Sequence, residues 1–261
     1  MSQRFQNDVA VVTGGGAGIG AATCRRLARE GAHVVAVDWD GESAEETVDA
    51  IHRDGGPESL AIETDVSDES AVAEMADRVD ERFGAVDALV NNAGIRVDPK
   101  PVTEADEASW DRVLDVNLKG TAFCSKHLVP LIDDGSGGAV VNVASVGAGW
   151  ARENWAQYDA TKGGIVSMTH DMACDHADQD IRVNAVSPGW VITEYHVGDR
   201  TGQAAREFVD EKTTRGGSDE NILERAAKPD ELAAAICFLA SDEASFLTGV
   251  NVPVDGGASV I

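Results

Sequence analysis

The pentapeptide YDATK, residues 158–162, sets a phenol and an ammonium four residues apart. On a helix that spacing puts Tyr158 and Lys162 on one face, one turn from each other. An ammonium beside a phenol favours the phenolate and lowers its pKa. Such a pair can take or give a proton near neutrality. A chance pair on a solvated helix has the same spacing, so the meaning of YDATK depends on what the rest of the chain places around it.

A second chemical signal lies near the start. TGGGAGIG (13–20) joins an apolar β-branched run, VAVVT, to a helix-like stretch. Glycines let the backbone turn tightly and approach a phosphate, and the helix N-terminus behind them offers free N–H groups and a positive dipole end. The next strand-like run, HVVAVD, ends in Asp38, 18 residues beyond Gly20. That spacing suits a carboxylate reaching the ribose diol of an adenine dinucleotide. A 2′-phosphate at that place would meet a fixed negative charge. Trp39 and Asp40 follow Asp38, and Ala17 within the turn carries no charge, so NAD is expected over NADP. An Asp that merely caps a helix after the strand is the plainer alternative.

The elements that must position these groups alternate along the chain. Strand candidates are 9–13, 33–38, 60–64, 87–92, 139–145, 181–188 and 249–255, with amphipathic segments between them. One such segment carries Leu232, Ala235, Ile236 and Leu239 in an i, i+3, i+4, i+7 stripe. Alternation of this kind, with near-continuous apolar strands, predicts an α/β fold: one doubly wound parallel sheet with helices on both faces. No repeat or linker divides residues 1–261, so a single domain is expected. A polar, helix-prone excursion at about 194–228 interrupts the rhythm and is expected to be a mobile cover over a site. Asn117 continues the stripe of Trp110, Val113 and Leu114. A polar amide in that position must be hydrogen-bonded.

Composition excludes several classes. Apolar residues make up 43% of the 261 residues, enough for a substantial core, and no run approaches a membrane span of about 18 residues. The opening MSQRFQNDVAVVTGG runs directly into strand-like sequence, so a soluble cytoplasmic protein is expected. Cys24, Cys124, Cys174 and Cys237 are scattered through helix-like segments and read as buried free thiols. The histidines lack ligand spacing, and no metal is expected. The formal net charge is −25, with acids spread along the chain, a field that repels nucleic acid. Such a chain also repels itself at low salt, and molar salt shortens the Debye length to about 3 Å. A halophilic origin is therefore expected.

Taken together and in order, TGGGAGIG, Asp38, DV (65–66), NNAG (91–94), Asn117, Ser145, YDATK and PGWVIT (188–193) resemble the short-chain dehydrogenase/reductase family over nearly the whole chain. The resemblance implies a Rossmann-type domain with a seven-stranded parallel sheet. It implies a homo-oligomer, a tetramer in preference to a dimer. By position, Gly14, Gly18, Ile19 and Gly20 would form the phosphate turn, and Asp65 and Val66 would contact the adenine. Asn91, Ala93 and Gly94 would flank the cofactor; Pro188, Gly189 and Thr193 would face the nicotinamide. Asn117, Ser145, Tyr158 and Lys162 would be catalytic, with Asn117 holding a water that links Lys162 to solvent. Lys162 and oxidised nicotinamide would together lower the Tyr158 pKa.

Substrate would enter between the loops 95–100, 146–155 and 190–198. They offer Arg96, Arg152, Glu153, Asn154, Tyr195 and His196, side chains suited to a sugar, polyol or sugar acid. Arg96 or Arg152 could pair with a carboxylate. An NAD-dependent alcohol dehydrogenase is thus expected. A 3-oxoacyl reductase of the same family and a non-catalytic NAD-binding protein are the alternatives.

Overall fold

The computed structural model describes residues 3–132, 137–198 and 200–260. Seven strands, β1 (Val9–Thr13), β2 (His33–Asp38), β3 (Leu60–Glu63), β4 (Ala88–Asn91), β5 (Gly138–Val143), β6 (Ile181–Pro188) and β7 (Asn251–Val254), pair throughout in parallel. Their order is β3-β2-β1-β4-β5-β6-β7. The chain reverses its winding between β1 and β4, so the crevice beyond the ends of these two neighbours is where a ligand fits a fold of this kind.

The helices are α1 (Gly18–Arg29), α2 (Gly41–Arg53), α3 (Glu69–Phe83), α4 (Glu107–Val113), α5 (Gly120–Leu128), α6 (Ala156–Asp175), α7 (Glu194–Val197), α8 (Gly202–Thr213) and α9 (Pro229–Ala240). Parallel strands bury both faces, which is why β1 and the middle of β2 are β-branched or small at every position. One core gathers Cys24 and Leu27 of α1 with Leu232, Ile236 and Leu239 of α9 against Val12, Val34 and Val90. The opposite core sets Val72, Met75 and Val79 of α3 and Leu128 of α5 against Val11, Val35 and Leu89. Each fully buried Leu, Ile or Val contributes roughly 1.5–3 kcal/mol relative to exposure.

Local chemistry fixes the helix starts. Asp40, Asp68 and Asp106 cap α2, α3 and α4 by accepting backbone N–H groups, and Pro229 opens α9 where its missing N–H goes unneeded. The first turn of α1 has no such side-chain cap at Ala17. Its donors are left for another acceptor.

Strands 9–13, 33–38 and 181–188 coincide with the expectation, and the ends of the other four shift by no more than two residues. Cys24, Cys124 and Cys237 are buried, but Cys174 is exposed, because α6 turns that side chain away from the sheet. The 194–228 excursion carries α7 and α8 and is closed at its neck by a parallel bridge between Val191 and Ala227. No helix among the described residues is long and apolar enough to cross a membrane.

Candidate active site

The glycine turn leaves β1 at the switch point and is held from the neighbouring strand. The Thr13 hydroxyl accepts from the backbone N–H groups of Asn92 and Ala93, both at 3.0 Å. The Asn92 amide donates in return to the carbonyls of Thr13 and Gly14, at 2.9 and 3.1 Å. Gly14 has φ +63°, and a Cβ on Gly20 would lie 1.9 Å from the Gly14 carbonyl. The turn closes only on glycine at both places. Ile19 packs on the adjacent core.

An anion already rests on this turn. Glu194, the first residue of α7, accepts from the Gly18 N–H through Oε2 at 2.9 Å, and Asp38 Oδ2 accepts from Gly16 N at 2.9 Å. The uncapped start of α1 therefore draws carboxylates from distant segments, as the dipole and free N–H groups predict for a pyrophosphate site. The residues present fit a dinucleotide phosphate. Thr193 leans over the same place: its Cγ2 is 3.1 Å from where a Gly18 Cβ would be. Asp38 stands at the end of β2, its other oxygen accepting from Asp40 N.

Asp65 and Val66 follow β3. The Asp65 carboxylate is turned back onto the N–H and hydroxyl of Ser67, while Val66 is buried against Gly120. Asn91 is buried too. Its amide donates to Ser125 and Asn142 and its Oδ1 has no partner, so its side chain belongs to a polar network inside the protein. Pro188 ends β6, and Gly189 lies so close to Asp255 that a Cβ would meet its Cα at 2.8 Å.

Tyr158 and Lys162 share a face of α6, with Lys162 Nζ 5.7 Å from the centre of the phenol ring. Lys162 is buried, and Nζ donates to the Val143 carbonyl at 2.8 Å. Burial pulls its pKa down to about 8. Ser145, just beyond β5, has its hydroxyl beside the Tyr158 phenol and accepts from Gly147 N at 3.2 Å. Burial raises the Tyr158 phenol; Arg96, then Arg152, and the Ser145 hydroxyl pull it down. The chain's own charges thus differ from the sequence expectation. Among the charges that lower the phenol Arg96 comes first and Arg152 second, while Lys162 Nζ turns toward the β5 carbonyl; burial outweighs them and the net shift is upward, against the expected acidification.

Asn117 lies in a π-type turn, 114–119, inserted between α4 and α5. Such turns often mark functional sites. Its Oδ1 accepts from Ile95 N at 2.8 Å, and its Nδ2 donates to Ile95 O and the Thr161 hydroxyl at 3.0 and 3.2 Å. The side chain therefore clamps the loop after β4 to α6. Gly94 passes between Asn117 and Lys162: a Cβ there would lie 3.3 Å from Asn117 Oδ1 and 3.5 Å from Nζ. Ala93 is partly buried beside it.

The mouth is aromatic and basic. Trp155 stands edge-on to Tyr158, ring centres 5.7 Å apart. Arg152 lies 4.7 Å from the Trp155 ring centre and is ion-paired to Asp159. Arg96 sits 5.9 Å from the Trp155 ring centre and 5.7 Å from that of Tyr195, with Nη1 3.4 Å from His196 Nε2. Sequence reasoning named Arg96, Arg152, Tyr195 and His196 at this rim but not Trp155, and it missed Thr13, Asn92, Thr161 and Glu194. Asn92 lay within a quoted motif, and its pairing with the glycine turn is visible only once β4 lies beside β1.

A family model described as enoyl-(acyl carrier protein) reductase matches residues 14–259. The chain is 41% identical over 265 residues to cis-4-hydroxycyclohexanecarboxylate dehydrogenase of Sinomonas cyclohexanicum, covering 100% of both chains. It is 40% identical to meso-2,3-butanediol dehydrogenase of Serratia marcescens, covering 98% of this chain and 96% of the relative. The fold matches the crystal structure of 3-ketoacyl-(acyl-carrier-protein) reductase from Brucella melitensis complexed with NADH, at TM-score 0.84 and 36% identity, covering 98% of this chain and 100% of that one.

Proposed function

We infer the reaction from one premise: the chain belongs to the short-chain dehydrogenase/reductase family. It is an oxidoreductase that interconverts an alcohol and a ketone and uses a nicotinamide cofactor. We propose that the cofactor is NAD and the substrate a small polar secondary alcohol, such as a sugar, polyol or sugar acid. The observation that carries this reading is the meeting of Ser145, Tyr158 and Lys162 beside a polar, cationic mouth.

When bound, the oxidised dinucleotide supplies a hydride acceptor and a positive charge. Gly18 N–H, with Gly14 and Gly20 shaping the turn, would hold its pyrophosphate, Asp38 its adenosine ribose, and Lys162 its nicotinamide ribose. Ser145 Oγ orients the substrate oxygen and stabilises charge that develops there. Tyr158 Oη accepts the substrate hydroxyl proton during oxidation and returns it during reduction. Asn117 fixes the Ile95 segment and Thr161, keeping the mouth and α6 in register.

The names of the relatives support small oxygenated substrates, a hydroxy acid and a diol among them. The family description and the Brucella neighbour favour a second reading, reduction of a 3-oxoacyl thioester. One screen separates them. Dehydrogenation of sugars, sugar acids and secondary alcohols with NAD and NADP is compared with reduction of acetoacetyl-CoA, in dilute buffer and in molar KCl. Turnover of polar alcohols with NAD is expected, with Asp38→Ala raising NADP use at least about tenfold, since like charges in contact cost several kcal/mol. Preferential acetoacetyl-CoA reduction would replace the first reading with the second. An Asp38→Ala enzyme that still refuses NADP would remove the role given to that carboxylate.

Glu194 bears on cofactor affinity. Its carboxylate occupies the Gly18 N–H that the pyrophosphate would use, so the two anions compete. Glu194→Gln is expected to tighten NADH binding about threefold to tenfold in dilute buffer, read by fluorescence titration, and less in molar salt where the repulsion is screened. Unchanged affinity at low salt would show that the carboxylate moves aside without consequence. The −25 charge supports a salt-adapted, halophilic protein of the cytoplasm. Exposed Phe246 and Val260 and partly exposed Phe238, near the C-terminal strand, support a homo-oligomer, with a tetramer as the proposed state.

A further inference from the structure

The cations at the mouth are not equivalent. Arg152 is committed to Asp159 by an ion pair and lies against Trp155. Arg96 has no carboxylate partner among the described residues, and this in a chain with 46 acids against 21 bases. Its guanidinium lies between the Trp155 and Tyr195 rings, 5.9 and 5.7 Å from their centres. Stacking of this kind restrains the planar fork without using its N–H donors.

The neighbouring imidazole sharpens the point. His196 Nδ1 stands 3.3 Å from the Thr193 N–H and 3.2 Å from the Thr193 hydroxyl; the N–H can only donate and the hydroxyl can donate as well, so we assign Nδ1 as the acceptor. A neutral ring then carries its proton on Nε2. That Nε2 lies 3.4 Å from Arg96 Nη1, which is also only a donor. Two donors face each other with no acceptor between them. A carboxylate placed there would accept from both, with the Trp155 and Tyr195 rings beside it.

We propose that Arg96 and His196 form an anion subsite that selects hydroxy acids: the substrate carboxylate bridges the guanidinium and Nε2–H, its hydrocarbon body lies against Trp155 and Tyr195, and its hydroxyl reaches Ser145 and Tyr158. This rests on the active-site reading above and narrows its substrate class. Arg96 is a substrate-anchoring residue here; it carries no transferred proton itself and reaches Tyr158 only through its charge.

Calorimetric titration of the NADH-loaded protein with benzoate and with benzamide reads the subsite directly. The two probes share a ring and differ in charge. Benzoate is expected to bind at least about tenfold tighter than benzamide, since a charge-assisted pair outweighs a neutral one. Arg96→Gln is expected to weaken benzoate about 10- to 100-fold and to leave benzamide unchanged, and Arg96→Lys to restore part of the loss. Arg96 lies on an exposed loop, so these variants fold. Repeating the titration without NADH gives the same ranking if the subsite belongs to the chain alone. Equal affinities for the two probes, or benzoate binding unaffected by Arg96→Gln, would overturn the proposal. The titration decides the subsite whatever the dehydrogenase screen returns. Alcohol oxidation without benzoate discrimination sinks this proposal alone, and benzoate discrimination without any alcohol oxidation sinks only the catalytic reading.

Discussion

Tyr158→Phe is expected to lower kcat by about 10³–10⁴ while leaving the NADH dissociation constant within about twofold. The loss follows from the chemistry of the site. Phenylalanine keeps the ring and its edge-on contact with Trp155, so the packing of α6 is preserved. What disappears is one hydroxyl, set beside Ser145 and near the guanidiniums of Arg96 and Arg152. General acid–base catalysis by a positioned group contributes about 10²–10⁴. The upper part of that range is expected because Ser145 also loses its partner and with it part of its orientation. Single-turnover and steady-state rates should fall together, since the missing group acts in the chemical step. A variant that keeps a tenth of wild-type turnover would show that the proton passes through another group.

Sequence reading located the protein's chemistry better than its wiring. TGGGAGIG and YDATK are contiguous, so glycine spacing and helical periodicity expose them without any tertiary knowledge. β6 at 181–188 was equally legible, because Ile181, Val183, Ala185 and Val186 form a largely apolar β-branched stretch that Pro188 ends. The network around these motifs is of another kind. Asn92 meets Thr13 across 79 positions of sequence, and Glu194 meets Gly18 across 176. No local pattern marks such partners; they exist only after β4 lies beside β1 and the loop after β6 folds over both. Asn117 shows the same limit from the other side. Its place on an apolar stripe foretold a buried, satisfied amide, and the structure provides one. That the partner would be the Ile95 backbone depends on the π-type turn at 114–119, which no periodicity of 3.6 residues encodes. The Tyr158 pair was legible as a pair, but the direction of Lys162 Nζ was not, since the Val143 carbonyl it chooses belongs to β5.

That choice makes Lys162 a stability liability held for function. The ammonium is buried, and the Val143 carbonyl is its protein hydrogen-bond partner. Burial lowers its pKa from 10.5 to about 8, so below pH 8 the folded protein carries a charge it disfavours. In the unfolded chain the same group is charged up to its ordinary pKa and fully solvated. The penalty is therefore complete below about pH 8, shrinks as pH rises toward 10.5, and vanishes above it. Lys162→Met keeps the length of the side chain and removes the charge. A shift from 10.5 to about 8 corresponds to about 3 kcal/mol, less about 1 kcal/mol for the carbonyl left unpaired. Lys162→Met is expected to raise the melting temperature of the cofactor-free protein on the order of 5 °C at neutral pH, with the gain fading through alkaline pH, and to reduce turnover at least about 100-fold. A melting temperature that falls at neutral pH, or a gain that grows with pH, would show that the ammonium is a stabilising part of the fold. A gain accompanied by full turnover would instead separate the buried cation from the chemistry of Tyr158.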